Sequence, residues 1–234
     1  MGPMLQKRSL HAAVTLKGQV FVIGGWVGME GWGGSSSTET TGTTTEFLPA
    51  GGTTWQQGPQ LPVEMRNGPC AVAISPTSFL VFHKKEIREF DASTAGPTSI
   101  QGWAEETKWP KLETSRRRWL GCAKLGDDKV VIAGGSDSQT MHQTTEILDL
   151  STRTLSQGGK MATPRRWFRI ISFYDSGVFR TLAVGGSDGV KDLNTVEEWQ
   201  LKTESWSTVE TQLKVKRSYF GLVAVNKNLV CPSQ

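Results

Sequence analysis

Arg118-Trp-Leu-Gly-Cys-Ala-Lys124 runs from an arginine into a short apolar segment, and it is one of five such openings in the chain. The others are Arg8-Ser-Leu-His-Ala-Ala-Val14, Arg66-Asn-Gly-Pro-Cys-Ala-Val72, Arg166-Trp-Phe-Arg-Ile-Ile-Ser172 and Arg217-Ser-Tyr-Phe-Gly-Leu-Val223. They recur about every fifty residues, the period of an array of small supersecondary units. The division this implies is four units, 8–65, 66–117, 118–165 and 166–216, and a partial fifth, 217–234, all within one domain.

Within each unit four strands are expected. The opening leads to a first apolar strand, then to a Gly-, Asp- or Asn-bearing turn such as Lys17-Gly18 or Gly126-Asp-Asp128 that suits a tight hairpin. The second strand is continuously apolar: Val20–Ile23, Phe79–Phe82, Val130–Ala133 and Thr181–Val184. Runs this short predict strands buried on both faces. A glycine pair closes three of them, Gly24-Gly25, Gly134-Gly135 and Gly185-Gly186, whereas the second unit has His83-Lys84. The third strand carries a glutamate among apolar residues, as in Thr144-Thr-Glu-Ile-Leu148 and Ile87-Arg-Glu-Phe90. The fourth is expected at Trp55, Trp109 and Trp206, with Leu155 in the third unit. Four short strands cannot bury both faces of their own sheet, so the units should stack radially with the aromatics between them.

The glycine pair after the second strand, the tryptophan of the fourth and the Met/Leu-Pro-x-x-Arg-like approach to the next unit together resemble the kelch-repeat family of β-propellers. The resemblance covers residues 7–230. It implies an all-β, kelch-type β-propeller with four full four-stranded blades and a partial fifth, and a ring that is incomplete, fragmentary or completed by self-association. It further implies a module that binds protein or peptide through the face carrying the loops between strands 2 and 3 and between strands 4 and 1.

Composition limits the other readings. The chain has 234 residues, 37% of them apolar and nine of them tryptophan, with 26 glycines, which fits short strands and many turns rather than long helices. The net charge of +4 is dispersed, with no basic stripe of the kind nucleic acid requires, so no nucleic-acid partner is expected. No apolar stretch approaches the roughly 18 residues that suggest a membrane span. Three widely spaced cysteines, Cys70, Cys122 and Cys231, give no disulfide framework. Cys70 and Cys122 are expected as neighbours too far apart to bond, and a cytoplasmic, also nuclear, location is the expectation. His11, His83 and His142 lie at different offsets, so neither metal nor cofactor is expected, and no enzyme motif appears.

The candidate partner-binding residues are Arg116, Arg117 and Arg165, which are not repeated in all units and suit an acidic partner through bidentate arginine–carboxylate pairing, together with Trp32, Trp119 and Trp167. The repeated Arg118 and Arg166 are expected to serve the fold. The repeated Gly-Gly-Ser-Asp sequences ending in Asp137 and Asp188 are expected to form Asx turns. The alternative function is a small-molecule-binding or catalytic propeller acting at the axial channel.

Overall fold

Each hairpin signal in the sequence becomes an antiparallel sheet. The computed structural model describes residues 2–27, 42–94, 102–104, 108–113 and 117–225. A two-stranded sheet at the entrance pairs β1 (Arg8–Ser9) with β4 (Trp26–Val27). Blade 1 comprises β2 (Ala12–Leu16), β3 (Gln19–Ile23), β5 (Thr45–Leu48) and β6 (Gln56–Gln57). Blade 2 comprises β7 (Cys70–Ala73), β8 (Ser78–His83) and β9 (Glu86–Asp91). Blade 3 is β10 (Gly121–Leu125), β11 (Lys129–Ala133), β12 (Thr145–Asp149) and β13 (Thr154–Gly158). Blade 4 is β14 (Arg169–Asp175), β15 (Val178–Val184), β16 (Val196–Gln200) and β17 (Ser205–Thr208). Every sheet runs in sequence order, and the first strands lie side by side in the series β2, β7, β10, β14. This is a partial propeller. The stretch Arg217–Val225 follows blade 4 without regular strand pairing among the described residues.

The core lies between sheets, as radial stacking demands. Phe21 and Phe47 of blade 1 pack on Phe79 and Phe90 of blade 2. Leu80 and Phe82 of blade 2 meet Val130, Ile132 and Leu148 of blade 3. Val131 and Ile147 of blade 3 meet Phe168, Trp199 and Trp206 of blade 4. Truncating one such buried aromatic costs about 3–5 kcal/mol. Trp206 sits on β17 as expected, and its Nε1–H donates to Thr145 Oγ1 of blade 3 at 2.9 Å. Trp55 is half-buried and immediately precedes β6. Trp109 corrects the expectation. It lies beyond blade 2's ladder, buried, and donates from Nε1 to Glu89 Oε2 at 3.0 Å. The residue that bridges β9 in the fourth-strand position is Trp103, opposite Phe90. From Trp103 to Arg118 is 15 residues, where the other units have 11 from the fourth-strand residue to the next arginine, so counting back from that arginine finds the wrong tryptophan.

Equivalent hydrogen bonds fix the true repeat register. The N–H groups of Gly25, Lys84, Gly135 and Gly186 donate to the carbonyls of Met65, Arg117, Arg165 and Arg217 respectively. Arg117, Arg165 and Arg217 are therefore one position, occupied in blade 2 by Met65. Arg66, Arg118 and Arg166 are the next position along. The glycine pairs serve this crossing. Gly134 and Gly135 have φ of 63° and 88°, and a Cβ on each would stand 2.6 Å from Arg165 O and 2.5 Å from Arg118 O.

That register exposes a repeated latch. Arg8, Arg117 and Arg165 have fully buried side chains paired with Glu46, Glu146 and Glu197 on the third strand of the blade each one opens, at 2.6, 3.0 and 2.6 Å. Each glutamate also accepts from backbone just upstream of its arginine: Leu5 and Gln6 N–H to Glu46, Glu113 N–H to Glu146, Ala162 and Thr163 N–H to Glu197. The carboxylate thus holds the incoming turn while the guanidinium spans to the carbonyls of Gly24 and Thr44, or of Gly185 and Thr195. Blade 2 lacks both halves. Met65 replaces the arginine, and Arg88, in the glutamate's register opposite Val81, pairs instead with Glu86. Arg217, at the latch position, is exposed and has no carboxylate partner among the described residues.

Candidate functional site

Two residues after each latch position the backbone turns into the left-handed region. Leu10, Asn67, Trp119, Trp167 and Tyr219 have φ of 54°, 62°, 56°, 56° and 55°. For bulky side chains this conformation is costly, on the order of 1–3 kcal/mol, and such strain gathers at sites of function. The kinks are held from blade to blade: Gly68 N–H donates to Leu10 O, Trp119 N–H to Asn67 O and Tyr219 N–H to Trp167 O. The five residues consequently ring one mouth of the axial channel.

Three of them form an aromatic ladder. Trp119 and Trp167 meet edge to face at 5.5 Å, and Trp167 stacks on Tyr219 at 4.1 Å. The guanidinium of Arg166 lies 3.8 Å from the Trp167 ring centroid and 5.6 Å from that of Trp119. Across the mouth Arg66 lies 5.2 Å from the Trp26 ring, whose Nε1–H donates to Asn67 Oδ1. The Trp119 and Trp167 Nε1–H groups are buried and have no hydrogen-bond partner among the described residues. Arg166, Trp119 and Trp167 are half-buried, so a ligand at the mouth can reach them. Desolvation pushes the Tyr219 hydroxyl up to about 12, so it stays a neutral donor.

Below the ladder the channel widens into a cavity of about 390 Å³. Backbone-rich first-strand residues line most of it, with His11, Arg169, Cys70 and Cys122 among them. Burial, then the charges of Arg8 and Arg169, lower the His11 pKa, which keeps its imidazole neutral. Desolvation likewise lowers the pKa of Arg169.

The loops after the second strands reach the same face. Arg118 bridges Ser136 and Arg166 bridges Ser187. The Asx-turn expectation holds: Asp137 accepts the N–H of Gln139 and Thr140, and Asp188 those of Val190 and Lys191. These bonds lower both carboxyl pKa values. His142 Nε2 lies 3.2 Å from Asp137 Oδ2, and burial outweighs that contact in lowering the histidine's pKa.

Against this geometry the sequence-based candidates divide. Arg117 and Arg165 are fully buried latch residues and cannot meet a partner, which corrects their assignment as recognition residues. Arg166, assigned to the fold, belongs to the mouth instead. Trp119 and Trp167 line the mouth of the channel. Tyr219 was missed as a site residue, although its place one step after Arg217-Ser was the available signal. Trp32 and Arg116 lie outside the described residues. The cysteine expectation is also overturned: Cys70 and Cys122 are joined by a disulfide with their Cα atoms 6.0 Å apart. Neighbouring first strands run close enough around the axis to bring the two sulfurs into bonding range.

Comparison with known proteins agrees with this architecture. The Kelch motif model matches residues 7–39 and 180–211. A Kelch repeat and BTB domain-containing protein of Caenorhabditis elegans is 28% identical over 148 residues, covering 55% of this chain and 25% of that protein. The Kelch repeat-containing protein kel-10 of the same organism is 30% identical over 148 residues, with the same coverage. The chain thus spans about a quarter of the length of the curated relatives it matches. Its repeats, its stacked antiparallel sheets and these matches together support assigning the chain to the kelch-repeat family.

Proposed function

We propose that this chain is a protein- or peptide-recognition propeller whose binding face is the axial mouth framed by Trp119, Trp167, Tyr219 and Arg166. Kelch-repeat propellers generally mediate protein interactions, which supports the class of function. The observation that carries the choice of face is the guanidinium of Arg166 lying 3.8 Å over Trp167 within a ladder of aromatics on strained backbone. Aromatic and arginine side chains are the residues that most often dominate binding energy. The half-buried guanidinium of Arg166 favours a partner segment that brings a carboxylate to the mouth. In this reading the chain has no catalytic role and acts in the cytoplasm or nucleus. The alternative, a small molecule bound or transformed in the channel, would rest chiefly on His11 and Arg169.

The test is a peptide array of acidic, neutral and basic segments, followed by calorimetric titration of the best binder. Arg166→Ala, Trp167→Ala and Tyr219→Ala should each weaken binding by about 10- to 100-fold, as loss of one hot-spot side chain does. Arg180→Ala, which removes a half-exposed arginine paired with Glu198 on the sheet, should leave affinity unchanged. Equal affinity for all four variants would remove the mouth from consideration.

A further inference from the structure

Among the described residues, blade 2 is the least restrained of the four blades. It has no arginine–glutamate latch, and its fourth strand is reduced, among the described residues, to the single bridge between Phe90 and Trp103. What it has instead is a covalent tie. Cys70 on β7 is bonded to Cys122 on β10 of the next blade. Both cysteines line the axial cavity; Cys70 is half-buried and Cys122 is 5% exposed. A disulfide at a solvent-connected channel is open to small reductants in a way that one sealed between sheets is not, because exchange requires a nucleophile to reach a sulfur.

We propose that Cys70–Cys122 is a reversible redox site, reached through the axial channel, that locks blade 2 to blade 3 when oxidised and frees it when reduced. The co-reactants are small thiols of the glutathione class and their disulfides. A thiolate entering the channel attacks Sγ of Cys70, the more exposed residue of the two. The Cys70–Cys122 bond breaks, a mixed disulfide forms on Cys70, and Cys122 leaves as a thiolate that takes a proton from water. A second thiolate attacks the small-molecule sulfur of the mixed disulfide and releases Cys70 as a thiol. Two small thiols are thereby oxidised to one disulfide, and one protein disulfide is reduced to two thiols; re-oxidation runs the same steps backwards. In a reducing intracellular setting, cysteine pairs of this kind are usually transient and regulatory rather than permanent. The consequence reaches the mouth, because the Trp119 ring rests on Gly68 of blade 2 and the Trp119 backbone N–H donates to Asn67 O. Opening the bond loosens the ground under one end of the aromatic ladder.

The experiment uses the full chain carrying Cys231→Ser, which removes the third thiol, in glutathione buffers of graded ratio. After acid quenching and alkylation, peptide mass spectrometry reports the linked fraction, and a thermal melt is recorded on each sample. The linked peptide should appear in oxidising buffer, disappear in glutathione without denaturant, and return on re-oxidation. The melting temperature should fall by roughly 10 °C on reduction, the shift expected for opening a loop of this size in a domain of this length. Cys122→Ala should melt near the reduced protein and be insensitive to the buffer; Cys70→Ser, at the more exposed position, gives the same readout if Cys122→Ala does not fold. No linked peptide in oxidising buffer overturns the proposal. So does a linked peptide that resists glutathione until denaturant is added, which would make the bond a fixed staple, and so does reduction with no change in melting.

Discussion

Replacing Arg165 by methionine isolates the latch, since methionine is what blade 2 carries at the same position. Arg165 gives hydrogen bonds to Gly185 O at 2.8 Å, Thr195 O at 3.1 Å, Thr195 Oγ1 at 3.1 Å and Glu197 Oε1 at 2.6 Å. Its removal strands a glutamate that is 1% exposed. Breaking one side of a buried ion pair costs about 3–5 kcal/mol, mostly from the charge left behind. For a domain of this size each kcal/mol moves the melting temperature by about 2–4 °C, so a loss of roughly 6–20 °C is expected. The paired substitution Arg165→Met with Glu197→Leu removes the stranded charge and should recover at least half of the loss. The N–H groups of Ala162 and Thr163 would lose their acceptor, but both residues are close enough to water to be solvated. Urea denaturation of wild type, both single variants and the double variant completes a double-mutant cycle, with an expected coupling of about 1–3 kcal/mol. A loss below about 1 kcal/mol for Arg165→Met would refute the reasoning, because a surface arginine behaves that way. Arg166→Met, one residue later and half-buried, is the control and should stay within about 1 kcal/mol of wild type.

Other expectations follow from single contacts. His83 is buried and neutral, with its pKa lowered to about 4 chiefly by desolvation. The unfolded chain takes up this proton near pH 6.5 and the folded one only near 4, so stability is full above 6.5 and falls as pH drops through that window. The loss approaches about 3 kcal/mol, and His83→Phe should flatten that part of a pH–stability curve measured by urea unfolding. Gly134→Ala forces a Cβ against Arg165 O and should cost more than about 2 kcal/mol, whereas Gly126→Ala, at a similar φ of 65° with nothing within 4 Å of the new Cβ, should cost about 1. Chemical denaturation of the two variants side by side separates backbone strain from collision. Trp206→Phe removes the bond to Thr145 Oγ1 while keeping most of the packing, and should cost about 1–2 kcal/mol by the same method.

The architecture was legible in the sequence because its signals are local and repeated. Short apolar runs between turn residues specify strands, and their period specifies stacking. The register of the opening was not legible. Units 3 and 4 carry arginine at both adjacent positions, Arg117-Arg118 and Arg165-Arg166, so taking the second of each pair shifts the first and last units by one residue relative to the others. The better guide is a glutamate on an otherwise apolar third strand. A buried carboxylate demands a buried cation, and Glu46, Glu146 and Glu197 identify Arg8, Arg117 and Arg165 as the ones. Blade 2 hides the rule by losing both charges, with Arg88 rather than Glu89 in the glutamate's register. The disulfide was invisible for another reason. It depends on how closely first strands of neighbouring blades approach around the axis, a distance that no spacing along the chain encodes.

At the mouth, the same backbone kink is occupied by Leu10, Asn67, Trp119, Trp167 and Tyr219, and main-chain hydrogen bonds join Leu10 to Gly68, Asn67 to Trp119 and Trp167 to Tyr219 whatever side chain each kink carries. Shape and chemistry are therefore uncoupled there. Each blade offers a socket whose contents can be exchanged without re-engineering the wheel, so under the proposed function a new specificity needs only a few substitutions at the hub.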